Sequence, residues 1–495
     1  MPFRLDKPSW SFLLWPMVWL VLTLWFSTGS DFPYLYHPDE PKKVMATTSE
    51  KQLFNHPHLL VTGTRLLSWL TGVETDQDRA RVGRAYAAGM LALGLVCLAV
   101  VTKHLAGPWA AIFALLVGGL YPLVFEAGHY LKEDAFLLGT LGIFILGLHF
   151  WDQRKRSGEP LKWHSALLFG ISFGLVVSAK YIGFVYAPLL IWRLVGCSLQ
   201  RVLVCLAGVL GTFALVNYRA WTQFSGIRGD VQRELETLGS QPRDGAIETP
   251  HFEFGFQLLT ETPWVLWLGL LAILIWPLAR LHGIKSLRLC FELVGFALLM
   301  LGILCWCVYH YPRYLLPVIW LLLPVMSAGL IVVVKQVVSR FPSGMRRVAG
   351  VTLSLFFLLA ATVPLVSPTT HLLRCFHNDT RTELYEYVRD QLPESSVIAQ
   401  ESFIRLPWHE RDRHPDVRPQ IPQQVLNGRP LKALGNLQEL RALGVTHIAW
   451  GVKNELTESD PWVREISENS HVIWSSQGPY GPVVASNVEL RELAP

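Results

Sequence analysis

The sequence is poor in charge. Lys, Arg, Asp and Glu together make up 16% of its 495 residues, hydrophobic residues 51%, and the mean hydropathy is +0.33. That balance excludes a single soluble globule. Cysteine outside apolar sequence is nearly missing: Cys97, Cys197, Cys205, Cys290, Cys305 and Cys307 lie within apolar segments, and only Cys375 lies in a polar stretch. With no Cys-x-x-Cys present, the pattern argues against a disulfide framework and against a metal ribbon. Cys305 and Cys307 read as small packing residues. No internal repeat is visible. The net charge of +5 does not point to nucleic acid, because the basic residues lie in short loops where they orient helices.

What the chain has instead is apolar sequence of bilayer-crossing length. Runs near 9–28, 82–102, 107–125, 134–151, 163–178, 180–196, 201–218, 256–278, 288–308, 312–334 and 347–366 predict about eleven spans. The two runs around Lys180 read either as separate spans or as one broken helix. Ser9 to Thr28 holds about 20 uncharged residues, enough for a core of about 30 Å. Ser27-Thr28-Gly29-Ser30 has the small residues of a cleavage site, but the run's length favours an uncleaved anchor. Tryptophans near segment ends, among them Trp15, Trp25, Trp109 and Trp151, fit an interfacial belt.

Threading the spans from a cytoplasmic N-terminus puts Arg154-Lys155-Arg156, Arg193 with Arg201, Arg280 with Lys285 and Arg288, and Lys335 with Arg340, Arg346 and Arg347 inside. These short loops are basic and nearly free of acids, as the positive-inside rule requires. The fold class expected is an α-helical polytopic membrane protein with a small C-terminal extracytoplasmic α/β domain. A transmembrane module covers 1–366, with long outer loops at about 29–81 and 219–255, and the outer domain covers 367–495. In that domain Thr382–Leu392 reads as an amphipathic helix and Ser396–Ala399 as a strand. Leu437–Leu443 reads as a second helix ended by Gly444, and Val445–Trp450 as a second strand. Pro407 to Pro430, rich in Pro, Arg and Gln, reads as loop.

Several ionisable residues stand out against this apolar background. Asp39-Glu40, in Tyr36-His37-Pro38-Asp39-Glu40, follows the first span on its outer side and is either loop solvation or an acid/base site. Glu126-Ala-Gly-His129-Tyr-Leu-Lys132-Glu133-Asp134 forms the outer turn between the third and fourth spans. It serves either to cap a helix or, with the first acid pair, to line a water-filled cleft, where ionisable groups are usually functional. Lys180, in Ser178-Ala179-Lys180-Tyr181, and Arg313, in Tyr311-Pro312-Arg313-Tyr314, are either snorkelling cations or groups placed for a lipid-linked phosphate. His251 and Glu253 read as loop residues more readily than as metal ligands. Asn378-Asp-Thr380 is an acceptor sequon that chance easily supplies.

In their order these features resemble the C-type membrane glycosyltransferases, especially the protein O-mannosyltransferases and the lipid A aminoarabinose transferase, which use polyprenyl-phosphate sugars. The resemblance rests on Asp39-Glu40 in a long first outer loop and on Lys132-Glu133-Asp134-Ala135-Phe136-Leu137-Leu138, similar to that family's second acidic motif. It rests also on Lys180-Tyr181, on Arg313-Tyr314-Leu315-Leu316-Pro317, and on Asp379-Thr-Arg381 opening the outer domain.

The resemblance implies an inverting transferase. Asp39 would deprotonate an acceptor hydroxyl on a lipid, glycan or protein, with Glu40 and Asp134 shaping its site. Lys180, Arg313 and Lys132, with Tyr314, would stabilise the departing polyprenyl phosphate. It also implies a bacterial cell membrane, a site facing the periplasm or exterior, and room for a divalent metal ion without naming its ligands. Two rivals belong to other classes. A transporter or flippase would line a pathway with its charges, whereas these gather at one face and no inverted repeat is seen. A non-catalytic assembly protein would use the outer domain to bind a partner.

Overall fold

The computed structural model describes residues 11–37, 39–49, 56–158, 161–220, 251–275, 286–306, 312–377, 379–401, 404, 406, 421–428, 431–451, 460–476 and 488–494, with 229 and 232. Most of the expected 219–255 loop and most of Pro407–Pro430 lie outside the described residues. The chain opens with α1 (Ser11–Ser27), α2 (Glu40–Thr48) and α3 (Leu59–Thr71), then the long α4 (Asp76–Ala106). The helices α5 (Pro108–Leu120), α6 (Pro122–His129), α7 (Glu133–Arg156) and α8 (Trp163–Ala179) follow. A 3₁₀ stretch (Tyr181–Tyr186) leads into α9 (Ala187–Leu194), then α10 (Leu199–Val216). Next come α11 (His251–Glu261), α12 (Trp264–Leu274) and α13 (Leu287–Trp306). A 3₁₀ turn (Pro312–Leu315) precedes α14 (Leu316–Ser339), and α15 (Arg346–His377) completes the apolar part. The remainder holds α16 (Thr380–Gln391), α17 (Leu437–Ala442) and α18 (Pro461–Glu468). Five strands go with them: β1 (Val397–Glu401), β2 (Gln424–Gly428), β3 (His447–Gly451), β4 (Ser470–Ser475) and β5 (Val488–Leu493).

These elements form two compact units. The first comprises Met1–Thr28, Met45–Gly72 and Val82–Thr369; the second comprises Gly29–Val44, Val73–Arg81 and Thr370–Pro495.

Among the described residues six helical segments are long and apolar enough to cross a bilayer. The number rises to eight if the bent pairs Pro108–Leu120 with Pro122–His129 (62°) and Gly255–Glu261 with Trp264–Leu274 (112°) each count once. Shorter apolar helices cover Leu14–Ser27, Trp163–Ala179 and Tyr181–Leu194. The two bends fall where Pro122 and Pro263 interrupt the helical hydrogen bonding. At Lys180 the chain breaks rather than running through as one helix. α14 is enclosed over nearly its whole length, whereas α10 buries only Cys205 and Gly208 and leaves Leu203, Leu210 and Leu215 exposed. An apolar face left uncovered on a helix of this length is suited to lipid.

Glycine sets the closest approach between helices. A Cβ on Gly94 of α4 would lie 2.6 Å from the Cα of Gly139 on α7, and one on Gly142 would lie 2.6 Å from the Cα of Gly94. Only glycine fits at that crossing, as expected where small residues rather than hydrophobic burial drive helix association in lipid. Trp19 and Trp25 of α1 donate their indole N–H groups to the carbonyls of Gly89 (2.9 Å) and Gly119 (2.8 Å). α4 starts at Asp76, earlier than the apolar run, because Thr75 accepts the Asp78 N–H (3.1 Å) and Asp76 and Asp78 favour a helix N-terminus.

The sheet of the second unit has the order β2-β1-β3-β5-β4, with β2-β1-β3 parallel and β5 antiparallel to both β3 and β4. Side-chain alternation sends Ile398, Val425 and Ala449 to one face, against Leu384, Tyr385 and Val388 of α16. Ala399, Ile448 and Trp450 face the other side, against Leu437 and Leu440 of α17 and Ile466 of α18. The helices and strands expected at Thr382–Leu392, Ser396–Ala399, Leu437–Leu443 and Val445–Trp450 are all present within a few residues. The stretch read as loop is corrected at Gln424–Gly428, which pairs in parallel with β1 as an edge strand. Gln-Val-Leu-Asn-Gly carries only two apolar residues, and an edge strand has no need of the apolar run that marks a central one.

Candidate active site

In the first unit the expected cations converge on one carboxylate. Asp134 stands in the first turn of α7, preceded by Lys132 in extended conformation as the N-cap residue. An acid there suits the helix dipole, but capping is not its main contact. Its Oδ1 accepts a hydrogen bond from Lys180 Nζ at 2.7 Å, and its Oδ2 lies 3.9 Å from Arg313 Nε. Asp134 is 6% exposed.

Lys180 reaches it because the chain breaks between α8 and the following 3₁₀ stretch. Lys180 itself is extended (φ −157°, ψ 138°), and Gly183 lets the next turn fold against α8, where a Cβ would meet the Val176 carbonyl at 2.7 Å. Arg313 is delivered by the 3₁₀ turn before α14, with Pro312 and Pro317 on either side. The ring of Tyr314 lies 5.6 Å from Lys180 Nζ and 5.6 Å from the guanidinium carbon of Arg313, within cation–π range of both. Lys132 stands within electrostatic reach of Asp134 and of Glu126. Lys132, Lys180, Arg313, Tyr314 and Asp134 therefore form one cluster.

Two further acids belong to this neighbourhood. Glu126 interacts through space with Arg313, Lys132, Asp134 and Glu261. The sequence reads Glu126 as part of an outer turn and does not single out Glu261, although an acid followed by Thr262-Pro263 inside an apolar run is a usable signal. Glu126 lies one turn beyond the bend between α5 and α6, Glu261 ends α11 at the second bend, and Tyr121 Oη and Thr262 Oγ1, 3.1 Å apart, tie those bends together. Beneath them a small apolar cavity is lined by Tyr121, Thr262, Leu258, Leu266, Ile319 and Leu323, among others. His129, also in the acidic turn, is fully buried. Its Nδ1 lies 2.7 Å from the Phe125 carbonyl and its Nε2 2.8 Å from that of Thr28, so it fastens α6 to the end of α1.

At the far end of α7 a second ionic cluster forms, which the sequence reading missed. The sequence reads Arg193 as an orienting loop charge, yet it is 2% exposed. It donates to Asp152 Oδ1 (3.0 Å) and Oδ2 (2.8 Å) and to Glu292 Oε1 (2.8 Å), while Arg288 donates to the same Glu292 oxygen (2.9 Å).

Asp39 and Glu40 lie in the second unit. Asp39 is half-buried in a turn, and its N–H donates to His37 Nδ1 at 3.1 Å. Glu40 opens α2 with its side chain fully buried, and its N–H donates to the His37 carbonyl at 3.3 Å. Among the described residues no group of three or more His, Cys, Asp or Glu side chains is placed to hold a metal ion. No metal ligand is therefore assigned. The side chains of His251 and Glu253 lie outside what is described.

No protein-family model and no curated protein matches the chain. Solved structures do. ArnT from Cupriavidus metallidurans bound to undecaprenyl phosphate is similar at 14% identity, with 98% of each chain covered and a TM-score of 0.51. Its apo state gives 14% identity, 97% and 98% coverage and a TM-score of 0.52. The Archaeoglobus fulgidus oligosaccharyltransferase tethered to an acceptor peptide gives 12% identity, coverage of 89% of this chain and 69% of that one, and a TM-score of 0.46. Spanning nearly the full length of both chains, the likeness to ArnT shows that this protein has the fold of ArnT.

Proposed function

We propose that the chain is a membrane glycosyltransferase that moves a sugar from a polyprenyl-phosphate donor to an acceptor hydroxyl, with inversion, on the outer face of a bacterial cell membrane. The observation that carries this reading is the cluster of Lys180, Arg313 and Lys132 around Asp134, beside the Tyr314 ring. Cations held in place by a buried carboxylate cost little reorganisation when an anion arrives, which is the condition for stabilising charge that develops on a leaving group. The group that departs from this phosphodiester donor is a polyprenyl phosphate monoester, whose oxygens carry the charge without a strong general acid. ArnT, of the same fold, was crystallised with undecaprenyl phosphate, a ligand whose charge suits this cluster.

In the proposed reaction Asp39 removes the acceptor's hydroxyl proton as the oxygen attacks the anomeric carbon. The bond from that carbon to the phosphate oxygen breaks, and the polyprenyl phosphate leaves with the negative charge, which Lys180, Arg313 and Lys132 stabilise. Glu40 and Asp134 shape the surroundings of base and cations respectively. The topology that goes with this is eleven crossings: the six long helices, the two bent pairs and the three shorter apolar helices.

The test is release of free polyprenyl phosphate from a panel of labelled lipid-linked sugars. Asp39→Asn removes the proton acceptor at nearly constant shape and is expected to lower turnover about 10²–10⁴-fold, the usual worth of a general base. Normal turnover by the folded variant, or sugar movement without bond cleavage, overturns the proposal.

A further inference from the structure

Within the second unit, Arg381 is placed in a way that helix stability does not explain. It occupies the first turn of α16, where a cation opposes the helix dipole, and it is 3% exposed. Asp379 already caps the helix by accepting the Arg381 N–H at 2.9 Å. The guanidinium adds nothing to that cap. Its Nε and Nη2 fork onto Asp379 Oδ1 (2.9 Å) and Oδ2 (2.6 Å), which leaves Nη1 to donate to the carbonyl of Tyr36 at 2.8 Å. The guanidinium carbon also lies 3.9 Å from the centre of the Tyr36 ring. The next residue of the helix, Thr382, pairs its hydroxyl with that of Tyr36 at 2.9 Å. One tyrosine is thus gripped by its carbonyl, its ring face and its hydroxyl.

Tyr36 stands three residues before Asp39, a distance the chain spans in at most about 10 Å. His37, between them, is 3% exposed, and its Nδ1 and carbonyl hold the N–H groups of Asp39 and Glu40 respectively. On the other side, the Gln77 amide accepts the Tyr34 N–H (3.0 Å) and donates to the Phe32 carbonyl (3.0 Å). The segment carrying the acid pair is fixed from both directions. Of these grips, only the one at Tyr36 uses a buried ion pair, an arrangement that apolar packing would usually replace without loss of stability. A planar fork that binds a carboxylate and a carbonyl while stacking on a ring is available to arginine alone.

We infer that Asp379 and Arg381 are positioning residues for the reaction, setting the place of Asp39 through Tyr36. The inference rests on the reading of Asp39 as general base. Arg381→Lys keeps the charge and loses the fork and the stacking. It is expected to lower kcat about 10–100-fold, since displacement of a reacting group by about 1 Å costs about that much, with KM for the lipid donor within about twofold. Hydrogen exchange in the peptide covering 34–41 should speed up. The deciding measurement is coupling: in an Asp39→Asn background, Arg381→Lys should change turnover less than about twofold, because residues acting as a unit are non-additive. Full multiplication of the two losses overturns the inference, and so does a normal kcat for Arg381→Lys. If Arg381→Lys does not fold, Tyr36→Phe, which loses only the hydroxyl contact, carries the same coupling test with a smaller single effect. Asp39→Asn alone with normal turnover sinks the base reading itself. Inactive Asp39→Asn beside unaffected Arg381→Lys sinks only the positioning role.

Discussion

Replacing Lys180 with Gln separates a structural from a catalytic use of the same cation. At an effective dielectric constant of about 20, a unit charge at 2.7 Å attracts Asp134 by about 6 kcal/mol and one at 3.9 Å by about 4 kcal/mol. Desolvation of both partners offsets much of this. Arg313, with 37% of its side chain exposed, contributes less than its distance implies. Removing one partner of a buried pair costs about 3–5 kcal/mol. Lys180 keeps 21% of its side chain exposed, so the lower end, about 3 kcal/mol, is expected for Lys180→Gln. Donor use should fall by about 1.5–3 kcal/mol, the worth of a hydrogen bond to a charged group.

The double variant Lys180→Gln with Asp134→Asn decides between the two uses. It leaves no unpaired carboxylate, so much of the lost stability should return, while the cation needed for phosphate is still absent and turnover should stay low. Thermal unfolding in one detergent at one scan rate, where irreversible loss makes rate the operative quantity, reads the first effect; release of polyprenyl phosphate reads the second. Recovery of turnover together with stability would refute the phosphate role and leave Lys180 as a counter-ion only.

Other outcomes follow from the same structure. Gly139→Ala, whose Cβ would sit 2.8 Å from the Met90 carbonyl carbon, should destabilise the fold by about 1–3 kcal/mol of overpacking. Gly211→Ala, with open space around its Cβ, should not, and thermal unfolding of the two compares them directly. His447 of β3 is held below its ordinary pKa of 6.5 by burial, which outweighs an upward pull from Glu492, with His471 adding a weaker downward push. The unfolded chain therefore takes up this proton more readily than the folded one, and the second unit should be most stable above about pH 6.5 and lose stability as the pH falls below it. Hydrogen exchange in β3, corrected for intrinsic rates, should show this, and His447→Gln should flatten it. Reporter fusions after Glu40, Gly239 and Ala485 should all read extracytoplasmic.

The small sheet domain shows what one chain segment reveals about itself. The apolar spacing of Leu384, Tyr385 and Val388 and the stop at Gly444 are local signals, and the elements they mark are present. Gln424–Gly428 was missed because its strand character comes from pairing with Val397–Glu401, not from its own residues. The ionic clusters repeat the lesson over longer separations. Residue type was enough to single out Lys180, Arg313 and Asp134, but not to pair them: 46 residues separate Lys180 from Asp134, and nothing local to either names the other. Arg193 reads as an orienting loop charge for the same reason, since its partner Asp152 lies 41 residues away.

Taken together, the two pairings explain the local conformation at Lys180. Asp134 and Asp152 mark the two ends of α7, about 27 Å apart at a rise of 1.5 Å per residue. The segment from Lys180 to Arg193 meets both, yet as pure α-helix its thirteen steps would cover only about 20 Å. Beginning it with an extended Lys180 and a 3₁₀ stretch over Tyr181–Tyr186, which rises about 2.0 Å per residue, lengthens it by about 3 Å. The reach of the lysine and arginine side chains closes the rest. A segment of this length is too short to cross a bilayer as α-helix, for which about 20 residues are needed. Its ends are nonetheless fixed at both ends of α7 by ion pairs of 2.7 Å and 2.8 Å. The broken helix is therefore what allows one short segment to deliver a cation to Asp134 while Arg193 anchors its other end. A substitution that favours continuous helix through this stretch, such as Gly183→Ala, should withdraw Lys180 from Asp134 without touching either charge. Loss of donor turnover in that variant, with the Arg193 cluster intact, is the expected result; unchanged turnover in a folded variant would mean that the break is not what positions the lysine.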